Sequence, residues 1–146
     1  MLSNNPWQSY RRIATETASP GQLVLMLYEG AIKFLEKSLT GFELTDPREF
    51  NQTVNNNLLR AGAILSELNL RLDMERGGEV SENFRRLYHY LIRRVNEANL
   101  KKSKKPIEEV LRHLLVHRDS WAEMLARGPA TDAPNAAETL AALPTA

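Results

Sequence analysis

The chain has 146 residues, with 19 basic and 18 acidic side chains, a net charge of +1 and no cysteine. This length suits one domain, and the lack of cysteine excludes disulfide bridges and thiolate metal sites. The balanced charge gives no overall field for nucleic acid, and no apolar run is long enough for a membrane span or a signal peptide. We therefore expect one soluble, cytoplasmic domain with no membrane insertion and no nucleic-acid partner.

The first predicted helix begins at Ser19-Pro20, where serine caps free N–H groups, proline suits the first turn and Gln22 completes a capping box. At about 100° per residue its apolar side chains spread over roughly 240°, whereas a core-facing surface helix needs a stripe of about 100°. They are Leu23, Val24, Met26, Leu27, Tyr28, Ala31, Ile32, Phe34, Leu35 and Leu39. We interpret the excess width as surface that a partner covers.

The second predicted helix begins at Asp46-Pro47, again with a capping residue before proline. Its apolar stripe runs over 50–72, with Leu59 and Leu70 off that stripe. The run Asn55-Asn56-Asn57 is unusually polar for a helix. A one-sided stripe of this kind predicts a helix packed against a core.

Two more helices follow in the pattern. The glycine pair at 77–78 breaks the chain, and apolar spacing over 80–98 predicts the third helix. The lysine-rich segment 101–106 is the predicted connection to a fourth helix over 107–125, which Gly128-Pro129 ends.

Short links between long helices make chain neighbours antiparallel, so the sequence predicts an all-α, antiparallel up-down four-helix bundle. The spacing of Trp7, Tyr10 and Ile13 predicts a short N-terminal arm or cap helix. We assign residues 1–127 to a single helical-bundle domain. Residues 128–146, rich in alanine and proline, are predicted to form a flexible tail.

Catalytic and metal-binding patterns are weak. Glu109, His113 and His117 are spaced by four and share one edge of the fourth helix, a spacing that can hold a metal. A solvated edge is the favoured interpretation, because no matching ligand pair occurs on a second helix. No nucleophile elbow, phosphate-binding glycine loop or dinucleotide fingerprint is present. We expect no enzyme activity, no metal site and no cofactor.

The lysines at 101–105 can contact phosphate, but a solvated basic loop is favoured because no aromatic platform accompanies them. The wide apolar arcs of the first and third helices point instead to a protein partner. An amphipathic helix lying in a groove is the binding mode that suits such arcs.

Several motifs occur in a specific order and spacing that covers about residues 10–125. They are Tyr10, Thr17-Ala18-Ser19-Pro20-Gly21, Leu-Tyr-Glu-Gly-Ala-Ile at 27–32, Ala61, Ile64, Glu67-Leu68, Leu72-Asp73, Gly77-Gly78-Glu79, Asn83, Leu87-Tyr88, Tyr90, Ala98-Asn99, Val110 and Trp121. Together these motifs resemble the FliS family of flagellin export chaperones.

This resemblance implies a cytoplasmic export chaperone built on a helical bundle. Such a protein binds the disordered C-terminal segment of flagellin, prevents premature polymerisation and supports type III secretion through the flagellar export apparatus. An anti-sigma factor or a co-chaperone is a further implied partner, and the free protein is expected to be a monomer or a weak homodimer. The alternative interpretation is a helical adaptor or regulator that binds a helix of another regulatory protein, such as an anti-sigma factor.

The resemblance and the apolar arcs together suggest the client-binding residues. In FliS-like proteins the arm before the first helix covers a groove that the client uses, which implies this role for its apolar residues here. The predicted client-binding residues are Tyr10, Ile13, Leu23, Leu27, Tyr28, Leu58, Ala61, Leu65, Leu68, Tyr88 and Leu91. If they line a groove, Tyr28→Asp or Leu65→Asp should abolish client binding while the helical fold is retained.

Overall fold

The computed structural model describes residues 19–128 and contains four α-helices. They are α1 (Pro20–Gly41), α2 (Pro47–Leu70), α3 (Met74–Lys101) and α4 (Lys104–Arg127). Within these residues no strand is present, so the predicted all-α class is confirmed. The predicted arm at 7–13 and the tail from 129 onward lie outside the described residues.

Capping bonds confirm the predicted starts of the first two helices, and a third cap sets a helix start that the sequence pattern did not predict. The Ser19 hydroxyl accepts from the Gln22 backbone N–H at 3.2 Å, and the Ser19 N–H donates to Gln22 Oε1 at 3.4 Å. Asp46 caps α2 through the Glu49 N–H, and Asp73 caps α3 in the same way. Each cap satisfies a backbone donor that the first helical turn leaves without an acceptor.

Contacts between helix ends establish the antiparallel order. Trp121 Nε1, near the end of α4, donates to the Gly21 carbonyl at the start of α1, at 2.8 Å. Asn99 Nδ2, near the end of α3, donates to Asn55 Oδ1 near the start of α2, at 2.9 Å. Because α1 and α3 each pack against both α2 and α4, the helices close into a ring, which confirms the antiparallel four-helix bundle.

Two boundaries differ from the sequence prediction. The third helix begins at Met74, six residues earlier than predicted, with the break at Gly78 inside it. Gly78 has φ 50° and ψ −124°, a conformation that glycine adopts readily because it has no Cβ. The predicted connection over 101–106 is shorter than expected, since only Lys102 and Ser103 separate α3 from α4.

The wide apolar arc of α1 serves mainly internal packing. Eight of the ten apolar side chains predicted to form this arc are buried, whereas Met26 and Leu39, together with Leu25 outside the predicted arc, are partly exposed. Because α1 packs against both α2 and α4, it needs two contact faces rather than one stripe. The interpretation that most of this width awaits a partner is therefore wrong for α1.

Candidate functional site

The predicted client-binding residues divide into two groups. Tyr10 and Ile13 lie outside the described residues. The other nine are buried, with exposed fractions between 0% and 7%, and all belong to the hydrophobic core. They are Leu23, Leu27, Tyr28, Leu58, Ala61, Leu65, Leu68, Tyr88 and Leu91. These nine side chains are therefore not accessible to a partner in the conformation that the structure describes.

Two of these buried residues form a polar contact across the bundle. The hydroxyl oxygens of Tyr28 in α1 and Tyr88 in α3 lie 2.6 Å apart and share a hydrogen bond. Burial raises the pKa of Tyr28 to about 12, although its bond to Tyr88 acts in the opposite direction. Burial, with the charge of Tyr28 as a smaller cause, raises the pKa of Tyr88 well above its usual value. Both hydroxyls are therefore neutral at physiological pH.

The tyrosine pair predicts a non-additive effect on stability. Tyr28→Phe should lower the free energy of unfolding by about 1 to 3 kcal/mol, because it leaves the buried Tyr88 hydroxyl without its partner. The double Phe variant should lose less than the sum of the two single variants, since it removes both polar groups together. Urea unfolding of the four proteins measures this coupling, and strictly additive losses would contradict it.

The same pair also predicts alkaline sensitivity. The phenol pKa is higher in the folded state than the ordinary value of about 10. Such a group makes its full contribution to the stability of the fold at every pH below about 10. This stabilisation should decline as pH rises from about 10 towards 12, because the unfolded chain then ionises more readily. Unfolding free energies measured over this window should fall more steeply for the natural protein than for the double Phe variant. Equal slopes would contradict the prediction.

Next to the tyrosine pair, aromatic rings of α3 and α4 form an accessible surface. The His117 ring stacks on Tyr28 with centroids 6.4 Å apart, and the partly exposed Phe84 ring meets His117 edge-on at 5.9 Å. Burial lowers the pKa of His117, and the nearby His113 lowers it further. His117 is therefore uncharged at neutral pH and contributes an apolar face.

Two aliphatic residues extend this surface by their register. Leu87 lies one turn before Tyr90 on the edge of α3 that contacts α4, and it is partly exposed. Val116 is seven residues beyond Glu109, which bonds to α3, and its exposed fraction is 64%. We use the name α3–α4 groove for Phe84 and His117, which are in contact, together with Leu87 and Val116, which helical register places beside them.

A polar cluster closes one end of the α3–α4 groove. Tyr90 donates a hydrogen bond to Glu109, and Arg94 Nε lies 2.6 Å from Glu109 Oε1. The bond from Tyr90, followed by that from Arg94, lowers the pKa of Glu109 below its usual value. Glu109 is thus a charged link between α3 and α4, and the groove lies on the Phe84 side of this link.

Sequence reasoning missed the α3–α4 groove as a surface. It placed Phe84 and Leu87 on the apolar stripe of the third helix and His117 on a solvated edge, and it left Val116 out of the apolar stripe of the fourth helix. The sequence signal that could have identified this surface was Val116, an apolar residue outside the predicted core-facing stripe. The same signal was noted at Leu59 and Leu70, whose exposed fractions are 57% and 79%.

The acidic and histidine side chains of α4 have other partners in the structure. Glu109 bonds to α3, and His117 packs against aromatic rings. In the part of the chain that the structure describes, no three histidine, aspartate or glutamate side chains lie together as a metal would require. Over 19–128, no helix combines the length and the apolarity needed to cross a membrane.

Comparison with known proteins identifies similar chains. The family model described as "Flagellar protein FliS" matches residues 3–128. The flagellar secretion chaperone FliS of Bacillus subtilis is 34% identical over 125 residues, covering 86% of this chain and 90% of that protein. FliS of Salmonella typhimurium is 32% identical over 127 residues, covering 80% and 87%. FliS of Escherichia coli is 32% identical over 123 residues, covering 81% and 88%.

Proposed function

Because the chain belongs to the FliS family of flagellar secretion chaperones, we propose that it binds the C-terminal segment of flagellin in the cytoplasm. Binding keeps the segment from polymerising and delivers it to the flagellar type III export apparatus. The observation that carries this proposal at the level of residues is the α3–α4 groove, an apolar surface accessible without any opening of the bundle.

The chemistry of the groove suits an amphipathic helix. Phe84, Leu87 and Val116 offer apolar contacts along two neighbouring helices, and the neutral His117 ring adds no charge to desolvate. Arg86, which bonds to Asn83 on the exposed side of α3, supplies a polar rim. A client segment with apolar residues three and four apart would bury them in the groove and keep its polar face in water.

Energetics favour an extended contact over a single pocket. Ordering a disordered segment consumes about 2 to 5 kcal/mol of the interaction energy, and such complexes bury about 1,000 to 3,000 Å². The groove alone is too small for that area, so the client must also cover neighbouring surface. An unfolded segment can do this because it follows the surface of several helices as it orders.

In this proposal the nine buried residues that the sequence predicted to bind the client have a supporting role instead. Tyr28 and Tyr88 contact His117 and Phe84 respectively, so they support the rings that face the client. We propose that core residues such as these shape the groove from below. Direct contact of Leu23, Leu65 or the others with the client would require local opening.

A charge in the groove should weaken client binding. Val116→Glu places a carboxylate on apolar surface that the client would cover, and should raise the dissociation constant for a flagellin C-terminal peptide at least about tenfold. Folding should be preserved, because surface substitutions usually change stability by less than about 0.5 kcal/mol. Calorimetric titration measures the affinity, and far-UV circular dichroism measures both the fold and the gain of helix in the client.

Leu70→Glu is the matched control for this experiment. Leu70 is also exposed, but it lies at the end of α2, outside the α3–α4 groove. We expect the control to bind the peptide like the natural protein. Equal affinity of Val116→Glu and the natural protein would remove the groove from the proposal. No binding by the natural protein would remove flagellin, and titration with a helix of an anti-sigma factor would then test the regulatory alternative.

A further inference from the structure

At the opposite end of α3 from Phe84, three asparagines and a lysine surround a cavity. The cavity is open to solvent, has a volume of about 600 Å³ and lies where α2 begins and α3 ends. Its lining residues are Asn55, Asn96, Asn99, Leu100 and Lys102. We call it the asparagine cavity. Asn55 belongs to the run of three asparagines in α2, and packing in the hydrophobic core gives no reason for a polar side chain at this position.

Hydrogen bonds fix the orientation of two of these amides. Lys102 Nζ can only donate, and it lies 2.7 Å from both the backbone oxygen and Oδ1 of Asn99. Asn99 must therefore direct its Nδ2 group at Asn55, where it donates to Oδ1 at 2.9 Å. The lysine thus sets the direction of the whole chain of bonds, and both amide oxygens are already used as acceptors.

Among the described residues, four N–H groups of this network are left without an acceptor, whereas each amide oxygen already accepts one bond. Lys102 has a third ammonium N–H, Asn99 has a second N–H on Nδ2, and Asn55 retains its whole Nδ2 group. Over 19–128 no further acceptor bonds to them. An ionised carboxylate only accepts hydrogen bonds, and its bonds to charged donors are stronger than neutral ones. A carboxylate therefore complements the unused N–H groups of the asparagine cavity.

Local charge and backbone geometry add to the same conclusion. Residues 97–108 contain four lysines and two glutamates, which gives this stretch of sequence a net charge of +2. Lys102 has φ 49°, and it is the one described residue other than glycine with a positive φ. Glycine or asparagine is the usual residue at such a helix end. Lysine here therefore brings a cation into the cavity at a position where backbone geometry favours glycine.

We propose that the asparagine cavity binds a carboxylate of the client, a proposal that rests on the flagellin-binding function above. Leu100 is sixteen positions beyond Phe84 in α3, a distance of about 24 Å along the helix axis. The cavity lies on the α2 side of α3, beyond the link from Tyr90 and Arg94 to Glu109 that closes the groove. A client that continues past this link and crosses α3, as an extended contact over several helices requires, reaches the cavity. Leu100, with 87% of its surface exposed, offers an apolar contact beside the carboxylate. The carboxylate comes from the chain terminus or from an acidic side chain, and the two sources share this chemistry.

Lys102→Gly tests the proposal with little change to the backbone. Glycine is favoured at this φ, so the variant removes the cation while the end of α3 is kept. Its affinity for the flagellin C-terminal peptide should fall about fivefold, as measured by calorimetric titration. Lys102→Arg should retain most of the affinity, because it keeps the charge. Lys105→Ala, which removes an exposed lysine outside the cavity lining, should change affinity by less than about twofold.

Peptides with a free and with an amidated C-terminus separate the two sources. If amidation lowers the affinity of the natural protein about fivefold but does not change the affinity of Lys102→Gly, the carboxylate is that of the chain terminus. Equal affinities of the two peptides, with the loss in Lys102→Gly retained, support an acidic side chain. Unchanged binding by Lys102→Gly overturns the carboxylate site but leaves the proposed function in place. Failure of the natural protein to bind either peptide overturns the proposed function and this inference with it.

Discussion

Replacing Leu65 with aspartate is expected to unfold the protein. Leu65 is fully buried in α2, and the sequence alone suggested that this variant would stay folded and lose only its client. A carboxylate at this position has no partner, and the shorter side chain also leaves a cavity. We expect a loss of more than about 4 kcal/mol, a large part of the roughly 5 to 15 kcal/mol that stabilises a typical domain. Far-UV circular dichroism and urea unfolding measure it.

Leu59→Asp is the matched control on the same helix. Leu59 lies six residues earlier in α2 with an exposed fraction of 57%, so its carboxylate stays in water. We expect a change of less than about 1 kcal/mol, most of it from the lower helix propensity of aspartate. Leu65→Asp could instead unfold cooperatively at a urea concentration near that of the natural protein and lose only client binding. That result would mean that Leu65 is accessible in solution and is not a core residue.

Replacing Trp121 with alanine is the second variant with a large expected effect. The indole is 6% exposed, and Nε1 donates to the Gly21 carbonyl at 2.8 Å. It therefore joins the last turns of α4 to the first turn of α1, the two elements that close the ring. Large-to-small substitution of a buried tryptophan costs about 3 to 5 kcal/mol, because apolar contact is lost and a cavity remains.

Trp121→Phe separates packing from the hydrogen bond. Phenylalanine keeps most of the apolar contact but cannot donate to Gly21, so we expect a loss of about 1 to 2 kcal/mol. Urea unfolding followed by circular dichroism suits both variants, because each removes a tryptophan and changes the fluorescence signal. Equal losses for Ala and Phe would mean that the hydrogen bond, rather than the packing of the ring, holds α4 against α1.

Local patterns of the sequence predicted the starts of α1 and α2 and the class of fold. Ser19 and Asp46 cap these helices because each side chain bonds to a backbone N–H three residues away, a contact that needs no distant partner. Leu59 and Leu70 could be recognised as exposed from helical periodicity alone. Short connections then required antiparallel neighbours.

Within the predicted apolar arcs, the tertiary structure alone decided which residues are core and which are surface. Tyr28 and Phe84 both lie on such an arc, yet Tyr28 is buried against α3 and α4 while Phe84 is partly exposed, because burial depends on how each helix is rotated in the ring. Periodicity gives the width of an apolar arc but not the number of helices that share it. The bonds that join Asn55, Asn99 and Lys102 depend likewise on residues far apart in sequence, so no local pattern could predict the cavity that they line.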